Sequence, residues 1–154
     1  MSRVEKAKEY FLKGYACSQA VLMAFGDVTG LDEETAAKIS LPFGGGFGRL
    51  RLVCGAVSGV TAVLGMVYAD ADGNPQNKKA VNERVQTVLK EFERENGSLI
   101  CGELLAGAGV KTTTQPKPDE RNMTYMKKRP CAELVGSATS ILEKYLIDDG
   151  VIVC

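Results

Sequence analysis

The stretch from Val53 to Ala69 is the longest apolar run in the chain, and small residues punctuate it throughout: Gly55, Ser58, Gly59, Thr61 and Gly65. It is slightly short for a bilayer span and long for a strand, so it reads as a helix that other parts of the chain must bury. Its Gly55-x-x-x-Gly59 spacing lets a neighbouring helix approach closely inside a soluble core. The segments on either side carry one apolar stripe and one polar face each, which suits them to supply that cover.

Helix punctuation is dense. Ser2 and Glu5 form a capping-box pattern ahead of Val4, Ala7, Tyr10 and Phe11, and Gly14 stops that helix near Lys13. Cys17 and Ser18 open a second segment with Ala20, Val21, Ala24 and Phe25 at helical spacing, until Gly26 to Gly30 interrupts it. Asp32 caps a third, with Glu33 and Glu34 in its positive first turn. Pro42 breaks that helix, and Phe43 to Arg49 reads as a glycine-rich loop. Pro75 marks the start of a long polar helix striped by Ala80, Val81, Val85, Val88, Leu89 and Phe92, which Asn96-Gly97 ends. Cys101 to Leu105 suggests a short helical turn, and Val110 to Arg121, with three threonines and two prolines, a mobile surface loop. Pro130 precedes a last helix striped by Leu134, Val135, Ala138, Ile141, Leu142 and Tyr145. With no internal repeat, linker or run of paired strands, the expected fold is all-α. It is a compact bundle of about five or six helices around the buried, small-residue-rich central helix, with residues 1–154 as one domain.

Composition narrows the chemistry. At 154 residues and 45% hydrophobic content the chain can build a core without disulfide staples. Nineteen basic residues balance nineteen acidic ones, which gives no footprint for nucleic acid or an anionic membrane surface. There is no histidine, so a Ser-His-Asp or Cys-His arrangement and any His-ligated zinc or haem are excluded. Cysteine must carry any soft-ligand or nucleophilic work. Five cysteines, without a basic and apolar leader, point to a reducing cytoplasm where thiols stay free.

Cys17, Cys54, Cys101 and Cys131 each fall where a helix is expected to start. Helix N-termini carry partial positive charge and unpaired N–H groups, which favour thiolate over thiol. Cys54 is the first choice as nucleophile or ligand, because Arg49 and Arg51 precede it. If the four thiols converge, two of them can cycle between dithiol and disulfide, or all four can ligate zinc or an iron-sulfur cluster. Spacing does not choose between these, since there is no C-x-x-C pair. Gly55 leaves room beside a sulfur for a ligand, or simply lets helices pack tightly. Gly44, Gly45, Gly46 and Gly48, with Arg49 and Arg51, could cradle an anion on backbone N–H groups, although the Gly-Lys-Ser/Thr ending of a P-loop is missing. Asp70, Asp72 and Asn74 resemble the start of a calcium loop, but its twelfth position is Val81, which discounts calcium. Lys127-Lys128-Arg129 could attract an anionic partner near Cys131 but reads first as a solvated loop, and Tyr15 could donate a hydrogen bond near Cys17 but reads first as a core aromatic.

These residues together resemble the redox-active proteins named for four cysteines around a CGAxxG motif. The resemblance is carried by Cys17 after Gly14-Tyr15, the run Gly44 to Gly48, the motif Cys54-Gly55-Ala56-Val57-Ser58-Gly59, then Cys101-Gly102 and Cys131. It covers nearly the whole chain and matches all four family cysteines; Cys154 is additional. It implies a small redox-type protein, a kind sometimes found as a domain within larger electron-transfer proteins. The expected function is cytoplasmic thiol-disulfide exchange or electron transfer at clustered cysteines, either metal-free or through zinc or an iron-sulfur cluster. Its partner would be a redox protein or a small thiol or anion, and a homo-oligomer is compatible with it. The alternative is a non-enzymatic anion-binding or protein-interaction module built on the glycine loop, whose cysteines only pack.

Overall fold

The capping signals of the sequence act where they stand. In the computed structural model, which describes residues 1–153, helices run α1 Arg3–Leu12, α2 Cys17–Ala24, α3 Gly26–Thr29, α4 Glu33–Ser40, α5 Gly55–Tyr68, α6 Pro75–Asn96, α7 Cys101–Gly107, α8 Met123–Lys128 and α9 Cys131–Asp148. Cys154 lies outside the described residues. Ser2 and Glu5 exchange both capping-box bonds at the start of α1, Asp32 accepts the Thr35 N–H, and Asn74 accepts those of Gln76 and Asn77 ahead of Pro75. Gly97, at φ 93°, closes α6 in the left-handed conformation that glycine adopts without a Cβ clash.

The fold is all-α, with nine helices and no named strand among the described residues. That exceeds the five or six expected because two short helices carry no long apolar stripe. The four-residue α3 fills the Gly26–Gly30 interruption, and the six-residue α8, capped by Asn122, follows the expected loop. No helix is long and apolar enough to cross a membrane among the described residues.

Helices α2 and α5 form the centre. Every residue from Ser18 to Phe25 is buried, so α2 is enclosed all round by α5, α1, α4 and α9. The small residues of α5 set the closeness of that packing. A Cβ on Gly59 would sit 2.9 Å from both the Ser18 carbonyl oxygen and Val21 Cβ, and one on Gly55 3.2 Å from the Ser18 nitrogen and 3.3 Å from Cys17 Cβ. The long α6 covers α5 and α9, burying Val88 and Phe92 while its other face meets solvent. At the far end of α5, Arg84 stacks 3.8 Å over the Tyr68 ring and bonds Tyr145 and Asp149, which fastens α6 to α5 and α9.

Candidate functional site

All four cysteines sit at the start of a helix. Cys17, Cys101 and Cys131 are the first residues of α2, α7 and α9, and Cys54 is the N-cap of α5. Ala16, Ile100 and Pro130 make no side-chain cap ahead of α2, α7 and α9, and at α5 the Cys54 thiol itself stands by the Ala56 and Val57 N–H groups, whereas α1, α4, α6 and α8 have Ser2, Asp32, Asn74 and Asn122. First-turn N–H groups there are left for a thiolate or another anion.

Three backbone devices bring these helix ends together. The Gly55 and Gly59 contacts seat α5 on the first turn of α2, so Cys17 and Cys54 become neighbours. Gly55 packs tightly against Cys17, and that packing puts both cysteines on one cavity. An isolated antiparallel bridge joins Val53 to Ile100, with the Cys54 N–H on the Leu99 carbonyl at 2.8 Å and the Cys101 N–H on that of Leu52 at 2.6 Å. It sets the starts of α5 and α7 side by side. Helix α9 reaches the same place because it packs along α1 and α2. The result is one cavity of about 410 Å3 into which Cys17, Cys54, Cys101 and Cys131 all project.

The glycine loop forms one wall. Gly45, Gly46, Phe47, Gly48, Arg49 and Arg51 all have φ between 58° and 74°. Three of those residues are not glycine, and such backbone costs roughly 1 kcal/mol or more each. The N–H groups of Gly48, Arg49, Arg51 and Leu52 bond back to the carbonyls of Pro42, Gly44, Gly45 and Gly46, so the loop consumes most of the donors expected to cradle an anion. Its left-handed coil instead brings the side chains of Arg49 and Arg51 to the cavity. Gly44, Gly45, Gly48, Arg49 and Gly55 line that space; Gly46 does not.

Opposite stands the segment expected to be a mobile surface loop. It has no helix or strand, yet it is fastened to the arginines: Arg49 Nε donates to the Gln115 carbonyl at 2.6 Å and Arg51 Nε to that of Thr113 at 3.2 Å. Pro116, Pro118 and Asp119 line the cavity. Asp119 Oδ2 meets three guanidiniums, Arg129 at 2.6 Å, Arg49 at 3.4 Å and Arg51 at 3.8 Å. The Lys127-Lys128-Arg129 run, expected to be solvated, closes α8, and its Arg129 is nearly buried, 4.8 Å over the Tyr125 ring. Arg121 bonds the Phe11 and Tyr15 carbonyls and stacks on Phe11. Tyr15 itself packs edge-to-face on Tyr10, as expected of a core aromatic. Sequence reasoning missed Asp119, Arg121 and Tyr125, and it reached Arg129 only as part of the basic run before Cys131.

The surroundings sort the thiols. Cys131 is lowered to about 7, first by the hydrogen bond from Cys17 and then, against the opposing effect of burial, by Arg129, the Tyr125 hydroxyl and Arg121. Its partner Cys17 moves the other way, well above the ordinary range, because it holds the shared proton and is buried. Burial pushes Cys54 up to about 12, outweighing the Val57 and Ala56 N–H groups at its sulfur. Cys54, the first choice as nucleophile or ligand, is 4% exposed, and the hydrogen bonds of Arg49 and Arg51 go elsewhere. Arg51 reaches Cys101 instead, with Nη1 3.8 Å from its sulfur, although burial still raises that thiol.

Such an arrangement places four free thiols on one cavity, with Cys131 shifted toward the thiolate. Zinc and iron-sulfur clusters take soft thiolate donors of this kind. Among the described residues, however, no group of three or more cysteine or carboxylate side chains is arranged to hold one metal ion.

No curated protein and no solved structure matches the chain. One family does, described as putative redox-active protein (C_GCAxxG_C_C), over residues 15–145, which takes in all four helix-start cysteines, the glycine loop and the arginine cluster. The chain belongs to that family of redox-active proteins.

Proposed function

We propose that this protein is a thiol-disulfide redox protein in which Cys131 attacks and Cys17 resolves. The observation that carries the reading is that Cys17 and Cys131, the first residues of α2 and α9, line one cavity, where Cys131 is shifted toward the thiolate and Cys17 toward the thiol. The Cys131 thiolate displaces one sulfur of a disulfide, forming a mixed disulfide and expelling a thiolate that solvent protonates. Cys17 then attacks the Cys131 sulfur and passes its proton to the second leaving thiolate. The substrate is reduced by two electrons and a Cys17–Cys131 disulfide remains. Cys54 and Cys101 complete the thiol-lined wall. Free thiols that cycle in this way suit a reducing compartment such as the cytoplasm, with residues 1–154 acting as one unit.

Titration of thiols before and after a mild disulfide oxidant, with peptide mapping, tests this. The expected result is reversible loss of two thiols, mapped to Cys17 and Cys131, and no loss in Cys131→Ser. Loss of a different pair, or of none, overturns it.

A second reading starts from a separate feature, four free cysteines lining one cavity, and would need them to draw closer than they stand here. In that reading Cys17, Cys54, Cys101 and Cys131 hold an iron-sulfur cluster or zinc, which would supply electron transfer or structural fastening. Protein purified without oxygen and analysed for iron, sulfide and zinc decides between them. Stoichiometric metal with four protected thiols would replace the dithiol reading.

A further inference from the structure

Arg51 is the least satisfied charged group in the cavity. Its side chain is 9% exposed, Nε and Nη1 have partners in the Thr113 carbonyl and the Cys101 sulfur, and Nη2 is buried with no hydrogen bond. The nearest carboxylate oxygen, Asp119 Oδ2, is 3.8 Å away and already serves Arg129 and Arg49. A buried guanidinium N–H left unpaired is costly and rare. Four guanidiniums, Arg49, Arg51, Arg121 and Arg129, line the cavity against the single carboxylate of Asp119. The N-termini of α2, α5, α7 and α9 add positive potential in the same place. The chain pays for this concentration of charge with left-handed backbone at Arg49 and Arg51.

We propose that the redox substrate is a small disulfide bearing a carboxylate, which seats its anionic group on the incompletely paired Arg51 guanidinium beside Arg49 and Arg129 while its sulfur atoms face Cys131. This rests on the thiol-disulfide reading above and adds the substrate class to it. A cavity of about 410 Å3 suits a small molecule, and a guanidinium edge with a free N–H matches a carboxylate oxygen. In water an anionic disulfide repels an attacking thiolate, so a preference for one must come from the protein.

The test compares two disulfides with the same reacting bond, 3,3′-dithiodipropionate and uncharged bis(2-hydroxyethyl) disulfide, as oxidants of the reduced full chain. The expected result is oxidation at least about tenfold faster by the dicarboxylate, and a ratio that falls toward one in Arg51→Gln and partly recovers in Arg51→Lys. Thiodipropionate, a thioether that cannot oxidise thiols, should raise the melting temperature of the native chain and compete with the dicarboxylate disulfide. Circular dichroism checks that the variants fold, and Arg49→Gln gives a second reading of the ratio should Arg51→Gln unfold. Equal rates for both disulfides, with no effect of thiodipropionate, overturn the proposal while leaving the dithiol intact. Thiodipropionate binding that depends on Arg51, with no thiol oxidation by either disulfide, supports the anion site and removes the redox reading beneath it.

Discussion

Cys131 is the first residue of α9 and Cys54 the N-cap of α5, one position apart on their helix ends, yet they end with opposite acidities. Cys54 is enclosed by apolar core, and the dipole of its helix cannot outweigh lost solvation. Cys131 receives a hydrogen bond from Cys17 and faces Arg129, Tyr125 and Arg121. Its reactivity should therefore rise with pH through a midpoint near 7, below the roughly 8.5 of an ordinary cysteine. Iodoacetamide labelling with peptide mapping across pH 5 to 10 measures this. Arg129→Gln should move the midpoint up, and Cys17→Ala further still, since the lost hydrogen bond is the larger effect. A midpoint that neither substitution moves would mean that the thiolate owes nothing to this pocket.

At the scale of elements, the CGAxxG motif is a packing device. Cys54 caps α5, while Gly55 and Gly59 remove the side chains that would hold α5 away from α2. Gly59→Ala would place a methyl group 2.9 Å from backbone oxygen and from Val21, and should destabilise the chain by about 1–3 kcal/mol. Gly65 lies in the same helix with nothing within 4 Å of its would-be Cβ. Gly65→Ala should stabilise by about 0.5–1 kcal/mol through the unfolded chain. Urea melts of the pair check the contrast, and similar changes in both would refute the packing account. The helix ends were legible because capping is local: Ser2 with Glu5, Asp32, Pro75 and Gly97 act within four residues of themselves. The short α3 and α8 were not, because tertiary contacts rather than a repeating stripe hold them.

Across the whole molecule, the proposed Cys17–Cys131 disulfide would tie the start of α2 to the start of α9 and close a loop containing most of the chain. Closing so long a loop restricts the unfolded chain strongly, by about 5 kcal/mol in the chain-entropy account, or about 15 °C in melting temperature. Calorimetry of the oxidised and reduced protein should find the oxidised form more stable, and Cys131→Ser should abolish the difference. Equal melting points with the disulfide confirmed would indicate native strain that cancels the entropy.

The sequence alone determined that the chain is helical, where most helices begin, and that four cysteines stand at those beginnings, because propensity, capping and apolar periodicity are local properties. Only the tertiary structure decided which thiol carries charge, that the glycine run spends its own N–H groups and delivers arginines, and that Asp119, Arg121, Tyr125 and Arg129 complete the cavity. Burial and Coulomb interactions depend on distances between residues far apart in the chain, and no local pattern encodes those.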